Sequence, residues 1–132
     1  MPDPRPTAQS YQDEPVRYPP LRVVDLVEES AGMAEGYSNI VVNSVNQHCL
    51  RLAAFDGDYP WHHHPDSDEL FLVVEGCLLV DLADGRTLRL EPWQAVTVPA
   101  GTIHRTRTEG RTVNLCFEES ATETVFLDEP SA

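Results

Sequence analysis

The run Trp61-His62-His63-His64-Pro65-Asp66-Ser67-Asp68-Glu69 packs three imidazoles and three carboxylates into nine residues, and a further imidazole, His104, follows the turn Pro99-Ala100-Gly101. On a strand, side chains two apart share a face. His62 and His64 are therefore expected to aim inward together, while His63 points the other way. Glu69 shares a face with Phe71 and Val73 on the next strand, and Pro65-Asp66-Ser67-Asp68 supplies a turn that can bring Glu69 beside the histidines. Neutral imidazole nitrogen and carboxylate oxygen suit one divalent transition metal: Zn, Fe, Ni, Mn or Cu. His62, His64, Glu69 and His104 are the expected ligands. Coordination positions left open on such an ion would admit substrate, water or dioxygen. A solvated His-rich turn is the bland alternative. The inward spacing at Glu69 and the bend that aims His104 favour the metal reading.

The same parity nominates a pocket. Phe71 and Val73 lie beside Glu69, and Thr106 and Thr108 lie beside His104; an apolar wall with a few hydroxyls suits a small organic molecule. These four residues could equally fill a core. Arg105 and Arg107 have the opposite parity and are expected in ion pairs away from the metal. Arg51 is a further candidate for the pocket. His48 reads as structural, and no general base is assignable.

The elements that must position these residues are short strands split by turn signals. Segments 39–43, 49–53, 69–74, 77–82, 87–90, 95–98, 104–108, 112–117 and 124–127 read as strands, and Ala83-Asp84-Gly85-Arg86 reads as a tight hairpin turn. Asp25-Leu26-Val27-Glu28-Glu29-Ser30-Ala31 has the look of one or two helical turns. Many short strands with little helix imply an all-β, antiparallel sandwich or barrel. Strands 70–74 and 77–80 are apolar on both faces and need cover on both: a second sheet for one, and a second subunit for the other. Residues 1–22 read as a Pro-rich N-terminal arm, with Pro2, Pro4, Pro6, Pro15, Pro19 and Pro20, loose unless it lies against a sheet edge. Residues 23–128 form the expected single domain.

Composition narrows the partners. A net charge of -13 argues against nucleic acid and against an anionic membrane surface. No apolar run approaches the roughly 20 residues that span a bilayer, and the N-terminus shows no secretory pattern. Cys49, Cys77 and Cys116 are odd in number and form no Cys-x-x-Cys pair, so buried free thiols in a reducing cytoplasm are expected.

Residues 57–76 resemble the first cupin motif: Gly57, then His62-x-His64, four residues, Glu69, six residues and Gly76. Residues 93–108 resemble the second, through Pro99-x-Gly101-x-x-His104. Gly57 stands one residue nearer the first histidine than usual, Trp93 replaces a usual glycine, and Thr108 replaces a usual asparagine. The resemblance covers roughly residues 38–118, and the small single-domain bacterial cupins are its nearest likeness. It implies a double-stranded β-helix, or jelly roll, with metal held by His62, His64, Glu69 and His104. It further implies a homodimer and a small-molecule ligand, with dioxygenase or isomerase chemistry; the alternative is a non-catalytic barrel that binds or senses a sugar-like molecule.

Overall fold

The computed structural model describes residues 6–33 and 35–130. Ten strands follow two short helices: α1 Ala8–Asp13, α2 Leu26–Ala31, β1 Ser38–Val45, β2 His48–Phe55, β3 Asp58–His63, β4 Glu69–Glu75, β5 Leu78–Leu82, β6 Thr87–Leu90, β7 Ala95–Val98, β8 His104–Thr108, β9 Thr112–Glu119 and β10 Val125–Phe126. They form two five-stranded antiparallel sheets, ordered β1-β2-β9-β4-β7 and β10-β3-β8-β5-β6. The architecture is all-β, a double-stranded β-helix. Among the described residues no helix is long and apolar enough to cross a membrane.

Alternation along each strand builds the core. Phe55, Phe71, Val73, Val98 and Cys116 from the first sheet meet Tyr59, Leu78, Val80 and Leu90 from the second. The outer face of the first sheet carries Ile40, Val42, Leu52, Ala54 and Val113. Burying such a side chain contributes about 1.5–3 kcal/mol, so this second apolar face has to be covered. The chain's own N-terminal region covers it, through Tyr18, Val24, Leu26 and Met33. A second subunit is not needed at this face.

Of the N-terminal arm, residues 1–5 with Pro2 and Pro4 lie outside the described residues; from Pro6 on, it lies against the barrel. Thr7 caps α1 in a reciprocal pair with Ser10. Val16 then bridges Val41 in parallel on the free edge of β1, with Arg17 and Tyr18 amides donating to the Val41 and Val42 carbonyls. Prolines flanking this contact restrict its backbone without occupying the donating positions. The helical turns expected at 25–31 form as α2, capped by the Asp25 side chain on the Glu28 amide at 3.1 Å.

Candidate metal centre

Two strands and two turns assemble the histidines. His62 on β3 is the cross-strand partner of His104 on β8, and their ring centroids lie 4.3 Å apart. The turn after β3 is tied to the turn before β8. The Gly101 amide donates to the His64 carbonyl at 2.9 Å, and the Asp68 carboxylate accepts from the Ala100 amide at 2.8 Å. Asp66 accepts from Thr122 and from the Glu123 amide. Asp66 and Asp68 thus shape loops, whereas Glu69 enters the barrel.

Each of the three inward histidines has its Nδ1 against a backbone carbonyl: His62 on Pro60 at 2.8 Å, His64 on Glu123 at 3.0 Å, and His104 on Thr102 at 2.8 Å. A carbonyl only accepts, so each Nδ1 carries the proton and each Nε2 is left as a lone pair or a second proton site. His64 Nε2 and His104 Nε2 lie 3.3 and 3.4 Å from Glu69 Oε1. All three of these atoms are buried without a hydrogen-bond partner. Orphaned buried polar atoms are costly, and here they converge. Groups within 4.8 Å of one another form two triplets that share Glu69: His62-Glu69-His104 and His64-Glu69-Glu118. This donor set fits a divalent cation, which would satisfy the orphaned atoms together.

Electrostatics agree. Burial, reinforced by His104, pushes His62 down to about 3 and keeps it neutral. Burial also opposes charge on His64, but the adjacent Glu69 carboxylate outweighs it and lifts His64 to about 9. Glu69, despite its burial, is held well below the usual carboxylate range by His104 and His64. Burial and then the Glu69 charge raise Glu118 to about 7. The Glu69 charge that favours a proton on His64 would equally favour a metal cation, which binds the deprotonated imidazole in exchange for that proton.

Phe71 and Thr106 line a cavity beside the histidines, together with Tyr37, Asn39, Tyr59, Asn114 and Cys116. Val73 and Thr108 do not. Val73 shares the face of Phe71 but sits two residues deeper, fully buried between the sheets. Thr108 is at the far end of β8, where its hydroxyl accepts from the Gly57 amide at 2.8 Å and ties the two sequence motifs together. Trp93, in the place of the usual glycine, has φ +68, the left-handed region that favours glycine. His48 stacks on Phe117, away from the site. The three cysteines are buried and free.

Three residues at the site escaped the sequence reading or stayed open in it. Tyr11, from α1, roofs the cavity: its ring stacks near His64 at 6.0 Å and its hydroxyl donates to Glu118 Oε1. Arg51 lies beneath that ring, with Cζ 3.5 Å from the centroid and Nε 3.1 Å from Glu118 Oε1. Glu118, fully buried, leaves Oε2 unpartnered 3.9 Å from His64 Nε2. One signal did exist: Asn114, Cys116 and Glu118 share one face of β9.

The Cupin domain family model matches residues 51–117, just over half of the chain. The chain belongs to the cupin family. It is 53% identical over 95 residues to the uncharacterized protein YdbB of Bacillus subtilis (strain 168), covering 72% of this chain and 84% of that protein. A solved cupin-2 domain protein from Shewanella frigidimarina NCIMB 400 superposes with a TM-score of 0.69 at 24% identity, over 74% of this chain and 94% of that one. The solved DMSP lyases RdDddP and RnDddQII give a TM-score of 0.55 at 27% identity, over 63% of this chain and 45% of that one.

Proposed function

We propose that this chain is a metal-dependent cupin that acts on a small organic molecule in the barrel mouth. His62, His64, Glu69 and His104 would hold one divalent transition metal. The observation that carries this reading is the set of three Nδ1 contacts to carbonyls, which leave all three Nε2 atoms free to ligate, those of His64 and His104 beside one buried carboxylate. Such backbone contacts fix the tautomer and ring orientation of a ligating histidine. When bound, the metal supplies polarisation of a substrate oxygen and an open position for the ligand.

The chain's own groups would do the rest. Tyr59 Oη and Asn114 Oδ1 are buried without partners, and both residues line the cavity. They offer one donor and one acceptor to an oxygen-bearing ligand. Burial keeps the Tyr59 phenol protonated well above its ordinary range, so it donates. Phe55 and Phe71 supply the apolar wall and exclude water. With Tyr11 in place the cavity measures about 30 Å³, enough for one water. An organic ligand would enter with the Tyr11 roof displaced.

Dioxygenase, isomerase and lyase chemistry all fit a polarising metal beside these groups. The likeness to solved DMSP lyases adds support to the lyase branch. The test is elemental analysis of protein purified without a His tag, followed by oxygen-electrode runs on β-diketones, thiols and catechols. A bound transition metal with no oxygen uptake for any of these would move the reading to isomerase or lyase chemistry. A protein that carries and accepts no transition metal would end it. Free buried thiols support a reducing cytoplasm, and exposed Leu21, Val23 and Val27 support a homodimer; light scattering showing a monomer at micromolar concentration would count against the latter.

A further inference from the structure

We infer that Glu118 is an additional carboxylate ligand of the metal centre, and that the N-terminal arm, through Tyr11, holds it in place. This rests on the metal reading above and extends it to residues outside the four expected ligands and outside the matched segment 51–117.

The geometry is one-sided. Glu118 Oε1 is fully engaged, accepting from the Tyr11 hydroxyl and paired with Arg51 Nε at 3.1 Å. Oε2 has no partner, is buried, and faces His64 Nε2 at 3.9 Å. Around an ion with bonds of about 2.1 Å, ligand atoms sit about 3.0 Å apart at right angles and about 4.2 Å apart across the ion. The separations of 3.3, 3.4 and 3.9 Å all fall in that span. His64 forms its close triplet with Glu69 and Glu118, whereas His62 and His104 form theirs with Glu69 alone. Glu69 belongs to both triplets, so an ion held by Glu69 and His64 has Glu118 Oε2 within reach.

Charge supports the assignment. Two buried carboxylates repel, and Arg51 offsets only one of them from the far side. A divalent cation between Glu69 and Glu118 would offset the repulsion that Arg51 leaves. Arg51 is itself locked: Nη1 donates to Asn39 Oδ1 at 3.2 Å, and Nη2 donates to the Tyr11 carbonyl. Gln12 anchors the same helix by donating to the Ala121 carbonyl at 3.0 Å. Partners outside the ligand set typically change metal affinity 10–100-fold when removed. Arm docking and metal binding should therefore strengthen each other equally, because linkage is reciprocal.

The experiment is a Co(II) titration of the metal-stripped full chain, read by its visible absorption bands and by affinity. Wild type, His104→Ala, Glu118→Gln and Tyr11→Phe are compared, each checked by circular dichroism. His104→Ala should lose Co(II) binding. Glu118→Gln should weaken it beyond the roughly 10–100-fold that loss of an outer partner brings and shift the bands, because a ligand has left. Tyr11→Phe should weaken binding less and leave the bands in place. Where Glu118→Gln does not fold, Glu118→Asp keeps the charge, withdraws the oxygen by one methylene, and should show the same loss and shift. Wild-type affinity and bands in the Glu118 variant, with binding lost in His104→Ala, would overturn this inference and leave the four-ligand centre standing. A wild-type chain that binds no Co(II) would overturn both.

Discussion

The two faces of β8 carry charge clusters built from adjacent residues, and they differ in saturation. On the inner face His104 meets Glu69, which in turn meets His64 beside Glu118, and several of their atoms are buried without hydrogen-bond partners. On the outer face Asp81 accepts from Arg105 at 2.8 Å, from Arg107 at 2.6 and 3.1 Å, and from Thr87 at 2.7 Å. Trp61 adds a ring under Arg105 at 5.0 Å. The outer cluster is complete as it stands and holds β5, β6 and β8 together. The inner one is complete only with a further group. A one-residue step along the strand thus separates a saturated charge cluster from an unsaturated one, and unsatisfied atoms rather than charge density mark the difference.

The sharpest way to break this contrast is metal-linked stability. A ligand that binds only the folded chain stabilises it by about 4 kcal/mol at a thousandfold excess over Kd. Zinc at saturating concentration should therefore raise the Tm of wild type and of Arg105→Ala alike, and leave His62→Ala unmoved. A zinc shift that survives in His62→Ala, measured by calorimetry, would erase the distinction between the faces.

Next in size is the turn that lets β4 run into β5 beside the site. Gly76 has φ +86, and a Cβ there would lie 2.5 Å from the Arg111 carbonyl oxygen and 2.8 Å from Thr112 Cα. Backbone on both counts cannot yield cheaply. Gly76→Ala should lose about 3 kcal/mol, read by urea unfolding, and a loss under 1 kcal/mol would contradict the packing described.

The outer cluster gives the smallest effect, with a pH signature. Asp81→Asn should cost about 1–2 kcal/mol at neutral pH and should leave metal content unchanged. Arg107 first, then Thr87 and Arg105, hold the Asp81 carboxyl well below its usual range despite partial burial. A depressed folded value means the stabilisation is present above the ordinary carboxylate pKa of about 4 and is lost as pH falls below it. The stability gap between wild type and Asp81→Asn should accordingly be flat above about pH 5 and close as the pH drops below 4. A gap that stays constant into acid would remove the ion pairs from the account.

Most of the inner cluster was legible because strand parity is a local rule. It separated His63 from His62 and His64, put Glu69 beside Phe71, and set Arg105 and Arg107 opposite Thr106. Depth along a strand is not local, and parity is silent on it: Val73 shares the face of Phe71 but packs in the core, and Thr108 shares that of Thr106 but bonds to Gly57. Register between distant strands was hidden as well. Cys49 pairs with Glu118 and Arg51 with Cys116 on β2 and β9, which is what brings the buried cation and carboxylate together. Nothing in a Pro-rich arm announces that Tyr11 will roof the barrel. Its docking depends on Arg51, Glu118 and Ala121, which lie 40 to 110 residues away.

The central claim is that one transition metal sits among the inward histidines and Glu69. An anomalous-scattering crystal structure of protein purified without a tag tests it directly. The account predicts a single peak at about 2.0–2.2 Å from the Nε2 atoms of His62, His64 and His104 and from a Glu69 oxygen. A metal-supplemented crystal with no peak there, or with its peak elsewhere on the chain, would contradict it.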